Sequence, residues 1–104
     1  DITIGNAIIN LNKKTVHKNG KSIQLTPIEA RLIQFLYANK NKMISKDEII
    51  SAVWGTSYNV GSRSLEVYIR RVRKIIEDNP SKPVHLITER SSGYMLKIDT
   101  QPGG

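Results

Sequence analysis

The densest positive segment of the chain lies between residues 63 and 74. It holds one acidic residue, Glu66, and five basic residues: Arg63, Arg70, Arg71, Arg73 and Lys74. Guanidinium and ammonium groups form charge-assisted hydrogen bonds with phosphate and carboxylate groups. The chemistry open to this segment is therefore the binding of a polyanion. The simpler alternative is a charged helix face that contacts only water.

A helix over this segment would have two different faces, at about 100° per residue. One face is apolar and contains Leu65, Ile69, Val72 and Ile76, flanked by Tyr68 and Ile75. The opposite face carries Arg63, Val67, Arg70 and Lys74, with Arg71 and Glu66 at its margins. The pattern predicts a helix from about Arg63 to Asp78, within a range of about 62–79, because Asn79-Pro80 stops it.

A second candidate for polyanion binding is a hairpin near the C-terminus. Val84 to Thr88 alternate as a strand does, Glu89 to Gly93 read as a polar turn, and Tyr94 to Ile98 read as the returning strand. The predicted hairpin carries Arg90 at its tip.

The elements that must position these residues come earlier in the chain. Residues 1–25 contain short β-branched runs separated by turn residues, which predicts an antiparallel meander with an Asn19-Gly20 hairpin turn. Thr26-Pro27, with Glu29 in the capping-box position, begins a helix that lasts until Asn39. Ser45 begins a second helix, which ends at Gly55 and whose capping box is completed by Glu48. A loop at 55–61 leads to a third cap at Ser62.

Composition excludes several classes of function. The chain has 104 residues, a formal net charge of +7 and no cysteine, so a thiolate nucleophile and cysteine-ligated zinc are excluded. His17 and His85 lie in separate strand-like runs, and no glycine-rich phosphate loop is present. We expect one domain that is not an enzyme and has no cofactor, no metal, no small-molecule substrate and no membrane contact of its own.

The order of these elements is that of a helix-turn-helix followed by a wing. In that arrangement the second helix of the pair lies in the DNA major groove, about 12 Å wide, and an extended arginine fits the minor groove, about 6 Å wide. Double-stranded DNA is therefore the expected partner. RNA is a weaker candidate, because side chains cannot read the deep A-form major groove.

Four sequence segments together resemble the OmpR/PhoB-type winged-helix DNA-binding domain of bacterial transcription regulators, including those of two-component phosphorelay systems. The segments are 25–29 (LTPIE), 44–50 (ISKDEII) with Val53-Trp54, 63–74 (RSLEVYIRRVRK) and 87–94 (ITERSSGY). The resemblance implies an α+β fold with an N-terminal four-stranded antiparallel sheet (1–25), a three-helix core (26–83) and a C-terminal β-hairpin wing (84–98). Residues 1–98 would be one domain, and 99–104 a disordered tail.

The resemblance also implies roles for single residues. Arg63 resembles a phosphate-binding residue, and Arg70 and Arg71 a central pair of which Arg71 would reach a base edge. Arg73 and Lys74 would contact the DNA backbone, although Arg73 could instead be held by an acidic neighbour inside the domain. On the wing, Thr88 and Tyr94 would contact the backbone and Arg90 would enter the minor groove. Val67 and Tyr68 complete the expected DNA-contacting set, while Trp54 is expected to pack against the third helix.

Further implications concern assembly and partners. The loop residues Thr56, Ser57, Tyr58, Asn59 and Val60 would contact RNA polymerase, and two copies would bind direct repeats in tandem. A protein-binding adaptor that uses the basic face or the loop is the alternative function. We expect a cytoplasmic location, with the full-length protein anchored in the inner membrane if it belongs to the ToxR-like branch. A receiver domain or a transmembrane segment could accompany this chain.

Overall fold

The computed structural model describes residues 1–55, 62–90 and 92–98. A four-stranded antiparallel sheet comes first, in the order β1 (Ile2–Ile4), β2 (Ala7–Asn10), β3 (Thr15–Lys18) and β4 (Lys21–Gln24). Three helices follow: α1 (Pro27–Ala38), α2 (Lys46–Trp54) and α3 (Ser62–Ile76). The strands β5 (Leu86–Glu89) and β6 (Gly93–Leu96) then form a hairpin. The predicted α+β winged helix-turn-helix fold is thus confirmed.

The local signals of the sequence act as expected. Asn19 and Gly20 have φ values of 52° and 76°, as a type I′ turn between β3 and β4 requires. At the start of α1, the Thr26 side chain accepts a hydrogen bond from the Glu29 amide (3.2 Å). The Glu29 carboxylate in turn accepts one from the Thr26 amide (2.9 Å), which completes the predicted capping box.

One hydrophobic core joins the sheet to the helices. It contains Ile4, Ile9 and Val16 from the sheet, Leu32, Ile33 and Leu36 from α1, and the apolar face of α3. The residues predicted for that face, Leu65, Ile69, Val72, Ile75 and Ile76, are all buried. Among the described residues, no helix is long and apolar enough to cross a membrane.

The wing is attached to the segment that precedes α2. Ile44 and Tyr94 form an antiparallel bridge in which each amide donates to the other residue's carbonyl, at 2.9 and 3.0 Å. Gly93, with φ 139°, lies directly against this segment. The hairpin is therefore held to the domain body at the turn end of β6, where Gly93 pairs with Glu89 at the last position before the turn.

Several predicted boundaries were wrong: the returning strand is Gly93–Leu96 instead of Tyr94 to Ile98, and Ser62 is the first residue of α3 instead of its cap. Helix α3 ends at Ile76 instead of Asp78, and β5 begins at Leu86 instead of Val84. The Glu77 carboxylate accepts the amides of 84–86, and the first two of these residues precede β5. The expected capping box at Ser45 is incomplete, because the Ser45 hydroxyl, not its amide, donates to Glu48 (3.2 Å).

Candidate nucleic-acid interface

The cationic face of α3 is exposed along its length. The exposed side chains are those predicted to lie opposite the core: Arg63, Glu66, Val67, Arg70, Arg71 and Lys74. Val67 has 39% of its surface exposed although it is apolar, because it lies among these charged residues. The helix therefore presents one buried face and one cationic face, as the periodicity of the sequence predicts.

Arg71 rests on an aromatic ring of its own helix. Its guanidinium carbon lies 4.9 Å from the centre of the Tyr68 ring, one turn earlier, in a cation–π contact. The half-buried Tyr68 ring meets Trp54 edge to face, with ring centres 5.5 Å apart and planes at 66°. Trp54 therefore packs against α3 as expected, and Tyr68 is a support for Arg71 as well as a predicted DNA contact.

The wing carries exposed polar residues up to its tip. Thr88, Glu89 and Arg90 are all exposed, and β5 pairs with β6 so that Thr88 faces Tyr94 and Glu89 faces Gly93. Arg90 follows the last residue of β5 and thus lies at the tip, as the sequence predicts. Glu89 sets a carboxylate beside it.

Arg73 bonds inside the domain. Its Nε and Nη2 donate to the Leu86 carbonyl at 3.0 and 2.8 Å, and Nη2 also donates to the Thr88 hydroxyl at 2.7 Å. Of the two predicted alternatives the intramolecular one is present, with a carbonyl and a hydroxyl as acceptors instead of a carboxylate. Burial lowers the pKa of the Arg73 guanidinium, an effect that Tyr94 and Glu77 oppose.

Tyr94 is a core residue of the hairpin. Only 4% of its surface is exposed, and its backbone forms the bridge to Ile44. Burial raises the pKa of the Tyr94 phenol, the charge of Glu66 acts in the same direction, and Arg73 opposes both. A contact between Tyr94 and the DNA backbone stays a prediction, for which the structure leaves little of the ring accessible.

An open cleft of about 350 Å³ separates the first turn of α2 from α3 and the wing. Its lining is mainly polar and includes Lys46, Glu66, Arg70, Arg73, Thr88 and Tyr94. Lys46 was not among the predicted site residues, although its place directly after the Ser45 cap could have indicated it. It adds a cation on the α2 side of the cleft.

Glu77 is the other residue that the sequence analysis missed. It has 1% of its surface exposed and accepts hydrogen bonds from the amides of Val84, His85 and Leu86. Only its proximity to a basic helix could have pointed to it. In the described residues no group of three His, Asp or Glu is arranged to hold a metal ion. The predicted polymerase-contact loop, Thr56 to Val60, lies outside them.

A three-helix core with a basic, exposed last helix and a C-terminal hairpin defines the winged helix-turn-helix class of DNA-binding domains. The family model for "Transcriptional regulatory protein, C terminal" matches residues 20–96, and the chain belongs to this family. It is a family of transcription-regulator domains and not of enzymes.

Curated relatives are transcriptional regulators. The chain is 37% identical over 89 residues to the transcriptional regulatory protein KdpE of Mycobacterium tuberculosis, a match that covers 86% of this chain and 39% of KdpE. It is 34% identical over 89 residues to the sensory transduction protein RegX3 of Mycolicibacterium smegmatis, with the same coverage. The chain thus spans about two-fifths of the length of these relatives.

Solved structures with the same fold include the response regulator DrrB, an OmpR/PhoB homologue from Thermotoga maritima. It has a TM-score of 0.79 at 30% identity, covering 92% of this chain and 43% of DrrB. The DNA-binding domain of E. coli CadC has a TM-score of 0.77 at 26% identity, covering 89% and 87%. The Klebsiella pneumoniae RstA DNA-binding domain, solved in complex with the RstA box, has a TM-score of 0.75 at 25% identity, covering 92% and 95%.

Proposed function

We propose that this domain binds double-stranded DNA sequence-specifically as the effector part of a bacterial transcription regulator. Helix α3 would lie in the major groove and the wing in the minor groove. The observation that carries the proposal is the one-sided exposure of Arg63, Arg70, Arg71 and Lys74 on α3, beside a hairpin that exposes Arg90. Membership of a transcription-regulator family, and the RstA domain solved with its DNA box, support it.

The dimensions of α3 fit this role. Arg63 and Lys74 are 11 residues apart, which at 1.5 Å per residue corresponds to about 16 Å along the axis. A major groove about 12 Å wide has phosphates on both sides. The two ends of the cationic face can then reach opposite phosphate walls, while Arg70 and Arg71 lie between them. We assign phosphate contacts to Arg63 and Lys74, with Thr88 as a further backbone contact.

Arg71 is our proposed base reader. A guanidinium can donate two parallel hydrogen bonds to O6 and N7 of guanine. The Tyr68 ring beneath Arg71, itself braced by Trp54, restricts the directions in which the side chain points. Val67 and Arg70 lie on the same exposed face, and Arg90 would enter a narrow, A·T-rich minor groove, where the negative potential is strongest.

Further parts of the proposal concern the protein as a whole. We propose a cytoplasmic domain that binds direct repeats in tandem, with copies about one helical turn, ~10 bp, apart. The segment Thr56 to Val60 is the proposed contact with RNA polymerase.

Fluorescence anisotropy of a labelled duplex at several salt concentrations tests the DNA-binding function. Roughly four to six phosphate contacts give a slope of about −4 to −5 in log K against log salt. A slope near zero with wild-type protein would refute the proposal. If a partner protein binds the domain instead, unlabelled duplex should fail to displace it, which would favour the adaptor function.

A further inference from the structure

Two charged side chains one turn apart, Arg73 in the last turn of α3 and Glu77 directly after α3, both bond to the start of the wing. Arg73 donates to the Leu86 carbonyl and the Thr88 hydroxyl. Glu77 accepts from the amides of Val84, His85 and Leu86 at 2.7–3.2 Å. Leu86 is thus bound through its amide by Glu77 and through its carbonyl by Arg73. We call this pair, Arg73 and Glu77, the wing clamp.

The hydrogen bonds of the wing clamp fix the strand that they hold. A buried charge is tolerated only when it is well hydrogen-bonded, and Glu77 meets that condition by its backbone contacts with the wing strand. Arginine adds a rigid planar fork, which fixes the relative position of two acceptors in a way that a lysine ammonium does not. The clamp therefore sets the position of β5 relative to the α3 axis.

A small displacement at the clamp moves the wing tip. Arg90 lies four residues beyond Leu86, which at about 3.3 Å per residue is about 13 Å of extended chain. Within the part of the chain that the structure describes, Arg73 is the α3 side chain that hydrogen-bonds to β5. The distance between the α3 face and Arg90 depends on this attachment together with the Ile44–Tyr94 bridge, which holds β6 to the segment before α2.

We propose that Arg73 is a positioning residue, which holds the wing so that Arg90 reaches the minor groove while α3 occupies the major groove. The inference rests on the proposed function and deepens it. A positioning role and a phosphate contact of Arg73 can be distinguished by measurement. A phosphate contact depends on the charge of the side chain, whereas positioning depends on the shape of the guanidinium.

Arg73→Lys keeps the charge and removes the fork. We expect it to weaken binding to a cognate site with an A·T-rich flank roughly tenfold, the effect of one lost charge-assisted hydrogen bond, and to leave the salt slope unchanged. The matched control is the neighbouring Lys74→Ala, which should weaken cognate and random duplexes alike and lower the slope by about one. In an Arg90→Ala background, Arg73→Lys should cost little more, because the contact that it positions is already absent.

Hydrogen exchange of the free domain gives a readout that needs no DNA. Arg73→Lys should speed exchange at the amides of 86–89 and leave the buried turns of α3 protected. Equal weakening on cognate and random DNA, full additivity with Arg90→Ala, or unchanged wing exchange would each overturn the inference. If the wild-type domain binds no duplex, the proposed function fails instead, and exchange still reports on the clamp. Should Arg73→Lys fail to fold, Glu77→Gln takes its place, because it weakens the other half of the clamp and lies outside the proposed DNA contacts.

Discussion

Replacing Gly93 by alanine should be among the most damaging single-methyl changes in this domain. Gly93 has φ 139°, a conformation that L residues rarely adopt. An added Cβ would overlap the Ile44 carbonyl oxygen and would lie 2.8 Å from its carbon and 2.9 Å from the Ser45 Cα. All of these are backbone atoms, so relief requires the hairpin to move away from the segment before α2.

The cost follows from the contacts that such a movement breaks. The two Ile44–Tyr94 hydrogen bonds contribute about 0.5–1.5 kcal/mol each. Backbone strain at an unfavourable φ adds roughly 1–3 kcal/mol. The sum is roughly 2–6 kcal/mol, a large part of the 5–15 kcal/mol typical of a domain. The melting temperature should fall by at least about 10 °C.

Gly20→Ala is the matched control. Gly20 also has a positive φ, 76°, but no described atom lies within 4 Å of a Cβ placed there. Only the conformational term of about 1–2 kcal/mol applies to it. Thermal unfolding followed by circular dichroism compares the two variants directly. Equal losses of melting temperature would refute the argument that close backbone approach at Gly93 joins the wing to the domain body.

Three further predictions concern binding and pH. Arg71→Ala should lose about 1–3 kcal/mol of binding free energy on the cognate site and relax the preference at one base pair. Arg63→Ala should instead weaken binding to cognate and random duplexes equally. Equal loss on both duplexes for Arg71→Ala would shift the base-reading assignment to Arg70. Tyr68→Leu should lower affinity for the cognate duplex more than affinity for random duplex, because Arg71 loses its support. An unchanged ratio of the two affinities, measured by anisotropy, would contradict this. The pKa of Tyr94 is raised in the folded domain, so as pH rises above 10.0 the Tyr94 phenol ionises first in the unfolded chain. The free energy of unfolding should therefore fall as pH rises from there through the folded pKa. Melting curves should show a smaller fall for Tyr94→Phe.

Local signals made most of the fold predictable from the sequence. The cap at Thr26, the Asn19-Gly20 turn and the apolar period of α3 each depend on neighbours within a few positions, and each is present as expected. The exposure of the cationic α3 residues follows from the same period.

Contacts between distant segments were not predictable in the same way. Nothing in the sequence near Glu77 indicates that its carboxylate accepts amides of the segment after it. The end of α3 and the start of β5 each lie about two residues from their predicted positions. Arg73 lies in the same basic segment as the exposed arginines, yet its guanidinium donates to the Leu86 carbonyl inside the domain. Tyr94 was predicted to contact the DNA backbone from the wing, but it belongs to the hydrophobic core and only 4% of its surface is exposed.

The C-terminal end of α3 is held by residues from the start of the chain. The Lys18 ammonium donates to the Glu77 carbonyl at 2.6 Å across 59 positions, and the Asn6 amide donates to the Asp78 carboxylate at 3.0 and 3.2 Å across 72 positions. Loops of this length close slowly during folding, whereas the nearest-neighbour hairpins of the first sheet close quickly. The segment that follows α3 is therefore fixed only after contacts across most of the chain have formed, later than the local hairpins of the first sheet.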